Sequence, residues 1–396
     1  MKLLLINSVC GIGSTGRICV DLAREYEQNG YEVKIAYGRD GHVPEDAQKY
    51  AVRIGNDLDV RMHVLYTRLT DKHGLASKNA TRKFLKWADE YDPDILWMHN
   101  IHGYYINYEL LFAWIKSRPQ MEVKWTLHDC WAFTGHCAFY LYAGCRNWQL
   151  SGCRNCDNCL QTSSYPASRS KKNTSHNFVH KKRAFTGLTN LTLITPSQWL
   201  ADELSHSFLA DYPVEVVYNH IDTNIFKPTP SDFRHTHGIS DVDVMILGVA
   251  NKWENRKGLD DFLELDRRLN SSNNTKEQPE SGGRYRIVLV GLSLSQIKSI
   301  SASNPDIITI SRTENATKLA QIYTAADVFV NPTREDNLPT VNLESEACGT
   351  PVITYNTGGC AETVHLPDSR VIEPDFDNLP SSIYEMRICY SEVDLE

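Results

Sequence analysis

Short, almost uninterrupted apolar runs alternate with amphipathic stretches along the whole chain, and this limits the fold more than any other feature. "LLLINS", "YEVKIAYG", "DILWMHN" (94–100), "EVKWTLHD" (122–129), "LTLITPS" (191–197) and "VEVVYN" (214–219) read as strands in the first part. "VDVMILGVAN" (242–251), "YRIVLVG" (285–291), "DIITIS" (306–311), "DVFVNPT" (327–333) and "PVITYN" (351–356) repeat the pattern. Helical patterns such as 18–28, "SQWLADELSHSF", "GLDDFLELDRRL" and "ATKLAQIYTAA" fall between them. Continuous apolar strands separated by helices imply parallel sheets covered on both faces.

With 396 residues the chain is too long for one ordinary core. The turn-rich "NHIDTNIFKPTPSD" (219–232) marks a join between an N-terminal domain, 1–220, and a C-terminal domain, 221–396. The expected fold class is α/β, two doubly wound Rossmann-like domains with a cleft between them and ligands at the carboxyl ends of the strands. "NSSNNTKEQPESGG" reads as a polar loop within the second domain.

A net charge of −8 argues against non-specific nucleic-acid binding, which needs a basic field. The apolar start "MKLLLINSVCGIG" breaks too soon for a signal peptide, and no run approaches a membrane span. The expectation is a soluble cytoplasmic protein. Eleven cysteines are many for such a protein, but five lie between Cys137 and Cys159, a local device and not a chain-wide disulfide framework.

Gly11-Ile12-Gly13-Ser14-Thr15-Gly16 spells G-x-G-x-x-G after a strand, so amides could cradle an anion. The acid that should end the next strand of a nicotinamide site arrives late, at Asp40. A glycine-rich substrate loop is the competing reading. His128 and Asp129 end a strand; His128 is either a buried structural histidine or a group facing the ligand. Lys252, Arg256 and Lys257 follow the first strand of the second domain, either as a solvated cluster or to neutralise a diphosphate.

In "TREDNLPTVNLESEACGTPVITYNTGG" (333–359), Pro339 fits the first turn of a helix running to about Cys348 and stopped by Gly349. Glu335 and Asp336 then precede the helix while Glu344 sits inside it, too far along for a pair flanking one glycosidic bond. The acids suit different parts of one extended ligand, and the amides of Asn337 and Leu338 near the helix's positive end suit electron-rich groups. Carboxylates for hydroxyls and lysines for phosphates describe a nucleotide-sugar.

On this run, with Lys257-Gly258, "AQIYTAADVFVNPT", "TPSQWLADE" and "NHIDTNIFKP", the sequence resembles retaining glycosyltransferases of the GT-B fold, family 4. "TLHDCWAFTGHC" and "RKGLDDFLEL" are similar to its colanic-acid and capsule subgroup. The resemblance implies transfer from a UDP- or GDP-sugar to a saccharide or polyprenyl-diphosphate-linked acceptor in bacterial polysaccharide synthesis, without a catalytic metal. It implies Glu335 or Asp336 on the donor sugar, Glu344 on the ribose, and Lys257 on the diphosphate. The family's arginine position falls on Asn251, with Lys252 adjacent as its substitute. It further implies His128 near the anomeric centre and Gly13 at the diphosphate or acceptor. "GGCAE" departs from the family's pattern, with Ala361 for proline. A sugar-nucleotide epimerase or a non-catalytic sugar-nucleotide binding protein is the alternative.

Cys137, Cys145, Cys153 and Cys156 run C-x7-C-x7-C-x2-C within a cysteine-rich insertion at 130–160, a pattern that suits a structural zinc, or else reduced thiols or a disulfide. The basic 168–185 segment is either a solvated helix face or a surface for anionic lipid, at the inner face of the membrane, or for a lipid-diphosphate acceptor. Related enzymes carry further C-terminal helices, so a truncated or compact C-terminus is also an expectation.

Overall fold

The computed structural model describes residues 1–154, 159, 165–170, 172–269 and 283–393, with side chains to Met386. Two compact units divide the chain, Met1–Val217 and Tyr218–Glu396. The polar loop expected over 270–283 lies, apart from its last residue, outside the described residues.

The first unit holds strands β1 (Lys2–Ile6), β2 (Glu32–Tyr37), β3 (Ala51–Arg53), β4 (Ile95–Met98), β5 (Glu122–Thr126), β6 (Leu191–Thr195) and β7 (Val214–Val216). They form one sheet in the order β3-β2-β1-β4-β5-β6-β7, parallel throughout. Leu3, Leu4, Leu5 and Ile6 are all fully buried, as a strand covered on both faces requires. Alternate residues of β1 enter different clusters, Leu4 and Ile6 one and Leu3 and Leu5 the other, which shows a core on each side of the sheet.

The second unit repeats the design with β8 (Val244–Val249), β9 (Tyr285–Val290), β10 (Ile308–Ile310), β11 (Val328–Asn331), β12 (Val352–Tyr355) and β13 (Arg370–Ile372). Their order is β10-β9-β8-β11-β12-β13, again parallel. Ile246 packs into one cluster and Leu247 into the other, so this sheet also has two cores.

In each sheet the chain builds outward on one side, then returns to build on the other. The reversal falls between β1 and β4 in the first unit and between β8 and β11 in the second. Loops leaving neighbouring strands in opposite directions open a crevice there, which is where doubly wound sheets hold ligands. The stretches after β1, β4, β8 and β11 are therefore where chemistry should gather.

Candidate active site

The loops after β8 and β11 meet. Arg334 N–H donates to the Arg256 carbonyl at 2.7 Å, and the Thr333 hydroxyl donates to the same oxygen at 3.2 Å. Arg256 returns the contact, its Nη1 donating to the Glu335 carbonyl at 2.8 Å. This lacing sets Lys257 Nζ 2.5 Å from Asp336 Oδ2, with Arg256 Nη1 4.0 Å from the same oxygen. Burial alone would raise the Asp336 carboxyl. Lys257, Arg256 and a hydrogen bond from the Asn337 amide outweigh it, so the group is held below its usual value and is an anion.

Two glycines permit the approach. A Cβ on Gly258, which has a left-handed backbone (φ +71°), would meet the Pro332 carbonyl oxygen at 2.4 Å. One on Gly358 (φ +57°) would stand 1.9 Å from the Asp336 carbonyl oxygen. Only glycine fits either place. Behind the pair runs the helix Thr340–Ala347, with Pro339 as its N-cap residue and not in its first turn as expected, and Gly349 just past its end. From this helix Glu344 Oε2 accepts the Tyr323 hydroxyl at 3.2 Å.

Of the residues singled out in the second unit, the structure brings Lys257, Asp336 and the Asn337 amide together. Glu335, only 3% exposed, contributes its carbonyl to the lacing. Leu338 is buried. Lys252 is not drawn in: its side chain is 79% exposed and bonds Glu254 at 2.6 Å. Arg256 is the second cation beside Asp336. A further cation, beside Asn251 and not Asp336, comes from a place the sequence did not suggest. Arg312, beyond β10, donates from Nη2 to Asn251 Oδ1 at 3.0 Å and so brings a guanidinium to the position where the resemblance expects an arginine. No local signal could have shown this, since the two residues lie 61 positions apart.

The first unit assembles a different chemistry at its own crevice. The helix Gly13–Gln28 begins at Gly13, five residues before the expected start, and its N-cap Ile12 supplies no side-chain hydrogen bond. The first turn also lacks an acidic residue, so its amides are suited to an acceptor-rich ligand. Asn7, after β1, donates to Thr15 Oγ1 at 3.3 Å, and its Oδ1 accepts the Asn100 N–H at the same distance.

His99, after β4, and His128, after β5, share a hydrogen bond, Nδ1 to Nε2, at 3.0 Å. Burial, with His102 adding and Asp129 opposing, pushes His128 down to about 4. Burial and His128 push His99 well below its ordinary value. Both rings are thus neutral near pH 7. His99 Nε2 is buried without a partner among the described residues. A buried bare acceptor costs less than a buried orphan N–H, so the proton sits on His99 Nδ1. His128 then accepts through Nε2 and carries its own proton on Nδ1. Beside them Asp129 pairs with His102 at 3.1 Å, and His102 Nδ1 meets the Tyr165 hydroxyl at 2.9 Å.

The cysteine-rich segment is clamped to this unit from within. Lys181, in the helix Thr174–Phe185, is buried. It donates to the Trp131 and Thr134 carbonyls at 2.6 and 3.1 Å and lies over the Trp131 ring. Burial, opposed by nearby Cys137 and Cys153, lowers it to about 7. Part of the expected basic face is therefore core. Burial raises the Cys137 thiol well above its ordinary value, and Cys153, Cys159 and Cys145 add to this, so four thiols share one neighbourhood. Cys153 Sγ accepts the Gly135 N–H at 3.3 Å. Among the described residues no three histidine, cysteine or acidic side chains are placed to hold a metal ion. Cys156 lies outside the described residues.

The two parallel doubly wound units, one with a Lys–Asp pair at its crevice and the other with a His pair, match known glycosyltransferases of the GT-B fold. The family description "Glycosyltransferase Family 4" matches residues 15–225, more than half of the chain, and "Glycosyl transferases group 1" matches 243–385. The chain belongs to glycosyltransferase family 4. It is 23% identical over 390 residues, 95% of this chain and 88% of the relative, to WcaC of Escherichia coli, whose name assigns it to colanic acid biosynthesis as a glycosyl transferase. It is 29% identical over 43% of its length to a D-inositol 3-phosphate glycosyltransferase of Stackebrandtia nassauensis, 40% of which is covered.

Among solved structures, WaaG, a glycosyltransferase involved in lipopolysaccharide biosynthesis, matches with a TM-score of 0.64 at 13% identity, covering 98% of this chain and 90% of WaaG. HepE of Anabaena in complex with UDP-glucose matches at 0.60 and 14% identity, covering 100% and 91%. These likenesses establish the GT-B fold. No helix among the described residues is long and apolar enough to cross a membrane.

Proposed function

We propose that this protein is a retaining hexosyltransferase. It moves a sugar from a UDP- or GDP-sugar to a saccharide or polyprenyl-diphosphate-linked acceptor at the inner face of the membrane, in bacterial polysaccharide synthesis. The observation that carries the reading is the Lys257–Asp336 pair at the β8/β11 crevice, flanked by Arg256 and closed by Gly358. The naming of WcaC for colanic acid and the capture of UDP-glucose by HepE support the same reading.

In this reading the resting lysine is neutralised by a carboxylate. An arriving diphosphate takes Lys257 over, and the released Asp336 accepts hydrogen bonds from sugar hydroxyls. Glu344, steadied by Tyr323, takes the ribose hydroxyls. Lys257 and Arg256 offset the charge that develops on the leaving diphosphate, so no catalytic metal is called for. Such stabilisation is worth roughly 10²–10³-fold in rate per group. The acceptor hydroxyl attacks on the leaving-group face and passes its proton to a departing phosphate oxygen. His128, neutral and holding a proton on Nδ1, donates to the transferring sugar, while Gly13 and the amides of its helix turn contact the diphosphate or the acceptor. A structural zinc on Cys137, Cys145, Cys153 and Cys156 belongs to the same proposal, resting on the spacing of these cysteines in the sequence.

The test is a panel of nucleotide-sugars offered to the purified protein, with melting temperature and nucleoside diphosphate release as readouts and the product anomer assigned by NMR. One donor should stabilise the protein and yield a product of unchanged anomeric configuration. Inversion would end the retaining assignment, and the absence of any stabilising or hydrolysed donor would end the reading as a whole.

A further inference from the structure

The helix Asp57–Thr70 is turned inside out. At 3.6 residues per turn, Leu58, Met62, Leu65 and Leu69 fall within a single arc of roughly 60°, and they are 49% to 67% exposed. Tyr66 widens this stripe on one flank. The opposite side, which faces the protein, buries His63 and Thr67.

Polar bonds hold the helix in this orientation. His63 Nε2 accepts the Gly74 N–H at 3.2 Å, and Nδ1 meets Ser77 Oγ at 2.8 Å. Burial lowers His63 to about 3, so it is a neutral strut. Asn56 and Asp59 close a capping box at the start of the helix. A chain that buries histidine and threonine while giving four large apolar side chains to the outside has an occupant for that outer face.

The charges around the stripe indicate which occupant. Arg61 and Arg68 line its other flank, both exposed. The basic segment joins them at the helix's end: Arg169 N–H donates to the Arg68 carbonyl at 2.8 Å, and Asn173 donates to that of Thr70 at 2.6 Å. Arg169 and Lys172 are exposed there. None of these four cations is in a salt bridge among the described residues. The nearby acids are engaged, Asp57 with Arg53 and Asp59 in the cap. In a chain of net charge −8, cations gathered beside an apolar stripe suit a surface that is both greasy and anionic.

We propose that the helix Asp57–Thr70 docks this protein onto an anionic lipid bilayer, with Leu58, Met62, Leu65 and Leu69 laid into the interface and Arg61, Arg68, Arg169 and Lys172 on the headgroup phosphates. Its meaning, delivery to a lipid-linked acceptor, rests on the function proposed above. The measurement itself needs neither donor nor acceptor, so the two ideas can fail separately.

The test is flotation of the full chain with phosphatidylglycerol-containing vesicles and with pure phosphatidylcholine vesicles. The protein should float with the anionic vesicles and lose much of that binding at high salt. L58Q/M62Q/L65Q/L69Q should lower the partition coefficient at least tenfold, and R61Q/R68Q roughly fivefold per charge. Both variants should keep the wild-type melting temperature and its shift with nucleotide-sugars. Flotation of the quadruple variant at the wild-type level would overturn the proposal, as would failure of the wild type to bind vesicles. So would self-association of the wild type without flotation that the quadruple variant abolishes, which would assign the face to a second copy of the chain.

Discussion

The two units share one topology but defend their crevices by opposite means. The first buries four histidines, His63, His73, His99 and His136, and keeps His128 half-buried beside His99. In the second, His220, His235, His237 and His365 are all exposed, and the crevice rests on Asp336 between Lys257 and Arg256. A doubly wound sheet fixes where a ligand sits. It leaves open whether neutral rings or paired charges wait there, and that choice sets how each unit responds to mutation and to acid.

The largest break should come at Lys257. Lys257→Ala is expected to cut turnover roughly 10²–10³-fold and also to destabilise, because it strands a buried carboxylate. Adding Asp336→Asn should restore the melting temperature without restoring turnover. Wild-type kinetics in the single variant would refute the assignment.

Acid should then separate the units. A buried histidine with a lowered pKa is protonated more readily in the unfolded chain, so its contribution is complete above about 6.5 and lost as pH falls below it, at up to about 1.4 kcal/mol per pH unit. For His128 that loss runs down to about 4 and for His63 to about 3. Asp336 loses its contribution in the same direction but lower on the scale: its pKa is also lowered, so its contribution is complete above the ordinary carboxyl value and is lost as pH falls from there through the depressed one. The first unit should therefore unfold at the higher pH. It holds seven of the eight tryptophans, while the second holds Trp253 alone, so a Trp253→Phe control assigns each fluorescence transition. A single transition at one pH would erase the distinction.

The smallest effect compares two cations. Arg312→Ala should raise the donor KM roughly threefold to fivefold, as for an exposed charged contact, and Lys252→Ala should change it less than about twofold. The reverse order would return the diphosphate contact to Lys252.

What the sequence disclosed follows physical lines. Strands buried on both faces read as unbroken apolar runs, so β1, β4, β5, β8, β9 and β11 were visible. Of the four three-residue edges among the described residues, β7 and β10 stood out by their adjacent β-branched residues, whereas β3 and β13, each with an arginine among its three residues, did not. Lys257 and Asp336 were legible because each lies in the loop that follows a strongly apolar strand. The pairing between them was not, nor was Arg312, since those contacts join residues 79 and 61 positions apart. Periodicity misleads at 57–70, where a regular apolar stripe implies a core face and the structure turns it outward.

The ion pair at rest also decides which visitors the crevice will admit. A bare inorganic anion can claim Lys257 only by leaving Asp336 charged, largely shielded from water and with its nearest cation gone. A molecule carrying both phosphate and vicinal hydroxyls settles the two sides together. The guard on the lysine is thus a lock with two wards, and a key cut for only one of them does not turn it.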